Sequence, residues 1–339
     1  MKRLGLYIFS FCCLAVYVLS LNRPFMEWWA DYRTYRWNAA YAKARYGDLY
    51  SNCFLPGYLD TAYIPLKKYK QKGNTDLYLL HDSYLEGKVE KNNFKGINKF
   101  VSVNYNDAPV YINPDPDKKN ILLIECSERT ADWRFAEAAK IISYFSFEPA
   151  KKTETKTEES GEPIKDYFFN PNINQNLEFA LYDYEYFIPI KNLKAQVNYS
   201  LFKRLPKDVT VSSDGKYLFL NETVDPFSGA SSFIPLDPLR MDYITQCVNS
   251  VSEHFKNKGF DEVYFSIVPN PVSILDPELY PYNHKIEKLE GNPALKADYI
   301  SVYSLFKSTK QRIYRRDDSH WNGHGLQLWL DEVNKKLEK

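Results

Sequence analysis

Short apolar runs, each followed at once by polar residues, constrain the fold of this chain more than any other feature. The runs are 77–80, 100–103, 121–124 and 263–268. The continuous branched-aliphatic character of 121–124 is typical of a strand that is buried on both faces of a parallel sheet. Helical spacing predicts helices at 131–145, 239–258 and 326–337. The alternation of the two patterns predicts an α/β layer fold with a central parallel sheet.

The N-terminus carries an export signal. Lys2 and Arg3 precede an apolar run over 4–21, which is near the length that crosses a bilayer. Basic residues at the start favour a cytoplasmic N-terminus and an exported remainder. A membrane anchor and a cleaved signal peptide both fit. The chain is therefore expected on the periplasmic or cell-surface side of a bacterial membrane, anchored there or released after cleavage.

The middle of the chain changes character twice. Residues 151–166 are charged and lack aromatic side chains, which predicts a mobile surface loop. Residues 167–233 are rich in aromatics and predict an insertion or cap, in which Asp214 and Gly215 form a hairpin turn. The predicted organisation is 1–25 signal peptide or anchor, 26–150 first part of the main domain, 151–235 loop and insertion, and 236–339 second part of the main domain.

The net charge and the lack of certain motifs argue against nucleic-acid binding, nucleotide-dependent chemistry and a metal site. Forty-four basic residues against forty-three acidic ones leave a formal charge of +1, so no nucleic acid partner is expected. The sequence has no glycine-rich phosphate loop. His324 lies four residues after His320, but no third ligand stands at a suitable spacing. No metal site and no cofactor are predicted.

Two short segments can together supply a nucleophilic site. Ser83 follows the first predicted strand, and Asp318 and His320 precede the last predicted helix. A serine hydroxyl needs an imidazole to take its proton, and a carboxylate fixes the tautomer of that imidazole. Ser83 beyond a strand end would lie in the crevice where open α/β sheets bind ligands, with a following helix N-terminus adding N–H donors.

A purely structural interpretation exists for each segment. An Asp-Ser pair after a strand is frequently a helix N-cap. The segment 318–322 (DSHWN) before a glycine and a helix fits a turn that contains a hydrogen-bonded histidine. For each segment taken alone, the structural and the catalytic interpretation both stay open. The presence of the two segments in one chain favours catalysis.

These segments resemble known families. The block 81–84 (HDSY) resembles the G-D-S block of SGNH hydrolases, with His81 in place of the usual glycine. The block 318–322 resembles the D-x-H-W segment of alginate O-acetyltransferase-like proteins, and 214–219 and 267–271 are similar to two further segments of that family. In those enzymes D-x-H-W precedes the serine block, so the order here is permuted.

The resemblance implies a fold and a reaction. The fold would be the SGNH, flavodoxin-like three-layer α/β type. The function would be O-acetyl transfer to polysaccharide hydroxyls through an acetyl-serine on Ser83, with a membrane-bound O-acyltransferase as acetyl-donor partner. A carbohydrate acetyl esterase is the alternative within the same chemistry. His81 favours another class, a non-catalytic glycan-binding or assembly protein, because a large side chain there would crowd the serine block.

The resemblance also assigns the remaining site residues. Asp317 holds the orienting position of an ordinary SGNH block and Asp318 that of D-x-H-W, and we prefer Asp318. The Ser83 backbone N–H is the first expected oxyanion donor. Further candidates for oxyanion or substrate contacts are Asn104, Asn106, Arg129 and Trp321. Arg129 forming a structural ion pair with Glu128 is the alternative.

Overall fold

The structure is a computed structural model that describes residues 2–22, 24–26, 28–29, 48–60, 62–148, 177, 181–182 and 185–338. Contacts divide the chain into two compact units, Met1–Pro56 with Thr153–Leu205 and Gly57–Lys152 with Pro206–Lys339. The predicted loop over 151–166 lies outside the described residues, and the predicted domain boundaries stay predictions.

The described elements alternate strands and helices along most of the chain. The strands are β1 Thr75–His81, β2 Ile97–Asn104, β3 Val110–Tyr111, β4 Lys119–Ser127, β5 Phe145–Ser146, β6 Val209–Val211, β7 Leu218–Leu220, β8 Glu262–Val268 and β9 Asp298–Tyr299. The helices are α1 Lys2–Leu21, α2 Tyr50–Cys53, α3 Glu128–Arg134, α4 Ala138–Ser143, α5 Ile188–Phe202, α6 Asn221–Val224, α7 Pro238–Lys256, α8 Pro271–Leu275, α9 Lys285–Glu290, α10 Tyr303–Ser308 and α11 Gly323–Leu337.

A five-stranded parallel sheet forms the centre of the second unit, in the order β2-β1-β4-β8-β9. Numbered among themselves, these strands follow the order 2-1-3-4-5, which is that of flavodoxin-like doubly wound sheets. The register pairs His81 with Asn104 and Ser127 with Val268, so the carboxyl ends of four strands meet at one edge. The prediction of an α/β fold with a central parallel sheet is confirmed.

Both faces of the sheet are buried. The core on one face includes Leu80, Ile124, Val248 and Phe255, the last two from α7. The core on the other face includes Leu79, Leu123, Trp329 and Leu330, the last two from α11. Alternate residues of each central strand therefore enter opposite cores, which explains the uninterrupted apolar runs 77–80 in β1 and 121–124 in β4.

Helix boundaries differ from prediction where tertiary contacts intervene. The helix predicted at 131–145 is two helices, α3 and α4. Between them Phe135 is fully buried with its ring edge against Phe265 of β8, and Glu137 has a non-helical backbone. Helix α11 begins at Gly323 because the Asn322 side chain accepts the N–H groups of the first turn.

The expected hairpin turn is present. Strands β6 and β7 pair antiparallel, and Gly215 between them has φ +70°, in the left-handed region that glycine adopts without strain. The carbonyl of Arg316 accepts the N–H of Leu218, which joins this hairpin to the segment that carries Asp318 and His320.

Candidate active site

Ser83 lies in a turn directly beyond the carboxyl end of β1 and is half-buried. Residues 83–88 form turns, so the helix expected after Ser83 is absent from this fully described segment, and that prediction was wrong. The reason is the Asp82 side chain. Its two oxygens accept the N–H groups of Tyr84 and Ser127, both at 2.8 Å, and hold the chain against the end of β4.

Two buried carboxyl groups beside the turn have pKa values that are shifted in opposite directions. Burial alone would raise the pKa of Asp82, but the Arg129 charge and the hydrogen bonds from Tyr84 and Ser127 outweigh burial and lower that pKa. Burial and the Asp82 charge raise the pKa of Glu125 well above its usual range. The Asp82 N–H donates to Glu125 at 3.1 Å. The surroundings thus favour the carboxylate form of Asp82 and the protonated form of Glu125.

The loop that carries His320 is fastened to the serine turn through Tyr84. The Tyr84 hydroxyl donates to the Ser319 carbonyl at 2.6 Å, and the Trp321 indole N–H donates to the Tyr84 carbonyl at 3.0 Å. The centroids of the Tyr84 and His320 rings lie 4.7 Å apart. Trp321 is buried and packs under the site, and its predicted part in substrate binding stays a prediction.

These contacts bring Ser83, His320 and Asp318 into one hydrogen-bonded row. The Ser83 hydroxyl oxygen lies 3.0 Å from His320 Nε2. On the other side of the ring, His320 Nδ1 lies 2.6 Å from Asp318 Oδ1, which also accepts the His320 backbone N–H at 3.0 Å. With the proton on Nδ1, Nε2 is free to accept the serine proton, which is the arrangement a general base requires.

The electrostatics of the row suit this role. Burial lowers the pKa of His320, and the charges of Lys88 and Arg129 lower it further. The charge and hydrogen bond of Asp318 act in the opposite direction. Burial would raise the pKa of Asp318, but its contacts with His320 and the nearby cations lower it. At neutral pH the imidazole is neutral and the carboxylate is charged.

The two neighbouring aspartates have different hydrogen-bond partners, although the Arg315 guanidinium also lies 4.0 Å from Asp318 Oδ2. Asp318 contacts His320, whereas Asp317 accepts hydrogen bonds from the Arg315 side chain at 3.0 and 3.2 Å and from the Asp60 N–H at 2.9 Å. The Arg315 guanidinium also donates to the Asp60 carbonyl at 2.7 Å. Asp318 is therefore the carboxylate placed to orient the imidazole, and Asp317 fastens the loop to the segment around Asp60.

Arg129 lies beneath the site and not on its open side. It is buried, lies 5.5 Å from the centroid of the Tyr84 ring and donates to the Ser319 hydroxyl at 3.2 Å. The carboxylate of Glu128 accepts hydrogen bonds from Asn270, Ser273 and Tyr282. The salt bridges of the described residues include no pair of Glu128 with Arg129, so the two side chains act in different networks.

Two N–H groups at the carboxyl ends of β1 and β2 are candidate donors for a developing oxyanion. Within the described part of the chain the Ser83 backbone N–H has no acceptor, while the next N–H, of Tyr84, is taken by Asp82. Asn104, at the end of β2, has a buried side-chain N–H₂ group without an acceptor among the described residues. Its carbonyl oxygen accepts the N–H of Asn106 at 2.9 Å, and Asn106 itself is exposed. Asn104 stays a candidate second donor.

His81 is accommodated without displacing the serine. It is buried as the last residue of β1, and its Nε2 lies 2.9 Å from the Ser102 hydroxyl of β2. Burial lowers the pKa of His81, which keeps this ring neutral in the sheet. The contact between Ser83 and His320 forms in the presence of this large side chain.

Lys88 is a residue of the site that the sequence did not indicate. Its ammonium donates to the Ser83 carbonyl at 3.1 Å, and burial lowers its pKa while Asp318, Asp82 and Glu125 oppose that shift. No sequence pattern marks a lysine five residues after a serine. Glu125 did carry a signal, since it is a charged residue that directly follows the apolar run 121–124 within the same strand.

Among the described residues, no group of three or more His, Cys, Asp or Glu side chains is arranged to hold a metal ion. His324 is exposed and its backbone N–H donates to the Asn322 side chain.

Comparisons of the chain with protein-family models, with curated proteins and with solved structures found no match. Membership of the SGNH superfamily therefore stays a prediction from the motifs.

Proposed function

We propose that this chain is an SGNH-like serine O-acetyltransferase that acts on hydroxyls of an extracytoplasmic polysaccharide. The observation that carries the proposal is the hydrogen-bonded row from Ser83 through His320 to Asp318, with distances of 3.0 and 2.6 Å. The resemblance of the blocks at 81–84 and 318–322 to acetyl-transfer enzymes selects the acetyl group.

The first half-reaction forms an acetyl-serine. The Ser83 oxygen bonds to the carbonyl carbon of an acetyl ester as His320 Nε2 takes the hydroxyl proton. The tetrahedral oxyanion is stabilised by the Ser83 N–H, a donor worth roughly 3 kcal/mol in such a site. Collapse breaks the bond to the donor oxygen, which leaves with the proton from His320.

The second half-reaction transfers the acetyl group to the acceptor. A sugar hydroxyl oxygen bonds to the acetyl carbon and gives its proton to His320 Nε2. The resulting tetrahedral intermediate collapses by breaking the bond from the acetyl carbon to the Ser83 oxygen, which leaves with the proton from His320. Water in place of the sugar releases acetate and makes the same site an esterase. The acceptor that reaches the acetyl-serine decides between the two activities.

The N-terminal helix supports the proposed location. Within the described residues Arg3–Leu21 is long and apolar enough to cross a membrane, by length and composition. Basic residues before it favour an N-terminus in the cytoplasm and a site on the periplasmic or cell-surface side. A membrane-bound O-acyltransferase that delivers acetyl groups across the bilayer is the partner this arrangement would need.

The test is turnover of an acetyl ester by purified protein. We expect acetate release, and a loss of about 10⁴-fold or more in Ser83→Ala. Ser213→Ala, which removes an exposed hydroxyl of the second unit, is the matched control and should keep full activity. No turnover above the Ser83→Ala level would contradict the proposal and leave a non-catalytic glycan-binding protein as the alternative.

Transfer and hydrolysis are separated by the product. With an oligosaccharide acceptor present, mass spectrometry should show acetyl groups on the sugar as the release of free acetate falls. Acetate alone, at every acceptor concentration, would assign the esterase activity instead.

A further inference from the structure

Helix α5 presents an apolar stripe to solvent. Ile190, Leu193, Val197 and Leu201 recur every three or four residues and so line one side of the helix. Their exposed fractions are 62, 66, 42 and 71%. Single exposed apolar side chains are ordinary, but a continuous row of them marks an interaction surface.

The other side of α5 is already used for packing within the first unit. The Tyr50 hydroxyl donates to the Asn192 side chain at 2.9 Å, and the Lys191 ammonium lies 4.6 Å from the centroid of the Phe54 ring. The apolar stripe is therefore not the face through which α5 packs on its own unit.

The charge around the stripe has one sign. Residues 188–205 contain Lys191, Lys194, Lys203 and Arg204 and no Asp or Glu. Lys194, Lys203 and Arg204 are exposed. An apolar row flanked by basic side chains is the arrangement of helices that lie in a membrane interface, where the cations meet anionic headgroups.

A second observation concerns the unit to which this helix belongs. Helix α1 belongs to the same compact unit as α5, and its residues Arg3–Leu21 meet the length and composition needed to cross a membrane. We propose that α5 is an interfacial helix that inserts the stripe from Ile190 to Leu201 into the headgroup region of a bilayer containing anionic lipid. The inference is independent of the proposed enzymatic function.

The test uses the full chain in lipid vesicles and a fluorescent label on the stripe. Cys12 and Cys13 are replaced by alanine, and the remaining cysteines Cys53, Cys126 and Cys247 are buried. A nitrobenzoxadiazole label is attached at Leu193→Cys. A second variant, Val197→Cys, carries the label one turn further along the same face, so that a local folding defect at position 193 does not decide the result. The control is Lys335→Cys, at an exposed position of α11.

Spin-labelled lipid with a nitroxide near the headgroup reports contact directly. We expect it to quench the labels at positions 193 and 197 several-fold more than the label at 335 in vesicles of phosphatidylcholine with phosphatidylglycerol. Quenching should be weaker in phosphatidylcholine alone. The combined changes Lys194→Gln, Lys203→Gln and Arg204→Gln should remove the difference between the two lipids.

Quenching at 193 and 197 no greater than at 335 would overturn the proposal. A blue-shifted emission without quenching by the spin-labelled lipid would overturn it as well, because protein and not lipid would then cover the stripe. Equal quenching in both kinds of vesicle would overturn the pairing of the basic groups with anionic headgroups.

Discussion

The turn that carries Ser83 and the loop that carries His320 reach their 3.0 Å contact by different routes. The turn follows a strand whose position is set by parallel pairing on both sides, with Leu80 opposite both Val103 and Ile124. The loop belongs to no sheet: backbone hydrogen bonds of Arg315 to His320 and of Asn322 to Ile313 close it, and side-chain hydrogen bonds join it to the serine turn. One half of the site is positioned by backbone register, and the other by a few long-range polar contacts.

This difference predicts how substitutions in the two halves of the site affect stability and activity. Changes at the loop residues that contact the serine turn should disturb both the position of the loop and the chemistry, because these residues serve both. Changes beside the strand should cost stability and leave Ser83 where the sheet places it.

The largest expected effect is that of removing the base. His320→Ala should lower kcat for an acetyl ester by roughly 10⁴- to 10⁶-fold, because Ser83 then has no proton acceptor. Residues that act as one unit are not additive, so the double variant with Ser83→Ala should be no slower than either single one. A further loss in the double variant, measured by steady-state kinetics, would show that the two residues act separately.

The neighbouring aspartates give a matched pair within the loop. Asp318→Asn should lower kcat by about 10⁴-fold, because the wrong imidazole tautomer is then held toward Ser83. Asp317→Asn should cost about 1–3 kcal/mol of unfolding free energy through the contacts with Arg315 and Asp60, and change kcat by less than about tenfold. Kinetics and urea denaturation on both variants measure these effects, and the reverse pattern would assign orientation to Asp317.

Smaller effects are expected for one substitution in the loop and one beside the strand, which together compare the two halves of the site. Trp321→Phe keeps a ring but leaves the Tyr84 carbonyl without the indole donor, which should cost about 1–3 kcal/mol of stability and also lower kcat. Ser102→Ala removes the partner of His81 beside the strand and should cost about 1 kcal/mol with kcat unchanged. An equal fall of kcat in both variants would contradict the distinction between loop and strand.

The smallest effect concerns pH. The base works as a neutral imidazole, and burial lowers the pKa of His320, so kcat/KM should rise with pH through a midpoint below the ordinary value of about 6.5. Lys88→Met removes a cation that favours the neutral ring, so the midpoint should move to higher pH. Lys70→Met, at an exposed lysine, is the control and should leave the pH profile unchanged. A shift to lower pH in Lys88→Met would contradict the assigned role of that charge.

The sequence predicted the strand half better than the loop half, for a physical reason. Apolar runs report burial locally, so β1, β4 and β8 could be identified, and the triad candidates stood out as short motifs. The turn after Ser83 depends on contact of Asp82 with Ser127, and the break near Phe135 depends on packing against Phe265. Such contacts join residues far apart in the chain and leave no local pattern.

The position of Arg129 illustrates the same limit. The resemblance gave Arg129 a part in oxyanion or substrate contact, and the structure adds a place 5.5 Å from the centroid of the Tyr84 ring with a hydrogen bond to the Ser319 hydroxyl. The sequence predicts at which strand end a residue lies. It does not fix the direction that the side chain takes.

Covalent labelling tests most directly whether the hydroxyl at the end of β1 is activated by the imidazole from the loop. The full-length protein is treated with a fluorophosphonate, which modifies serines that a neighbouring base makes nucleophilic, and the adduct is located by peptide mass spectrometry. We predict a single adduct on Ser83 that is lost in His320→Ala. Failure of Ser83 to react, or labelling of Ser83 that persists in His320→Ala, would contradict the account.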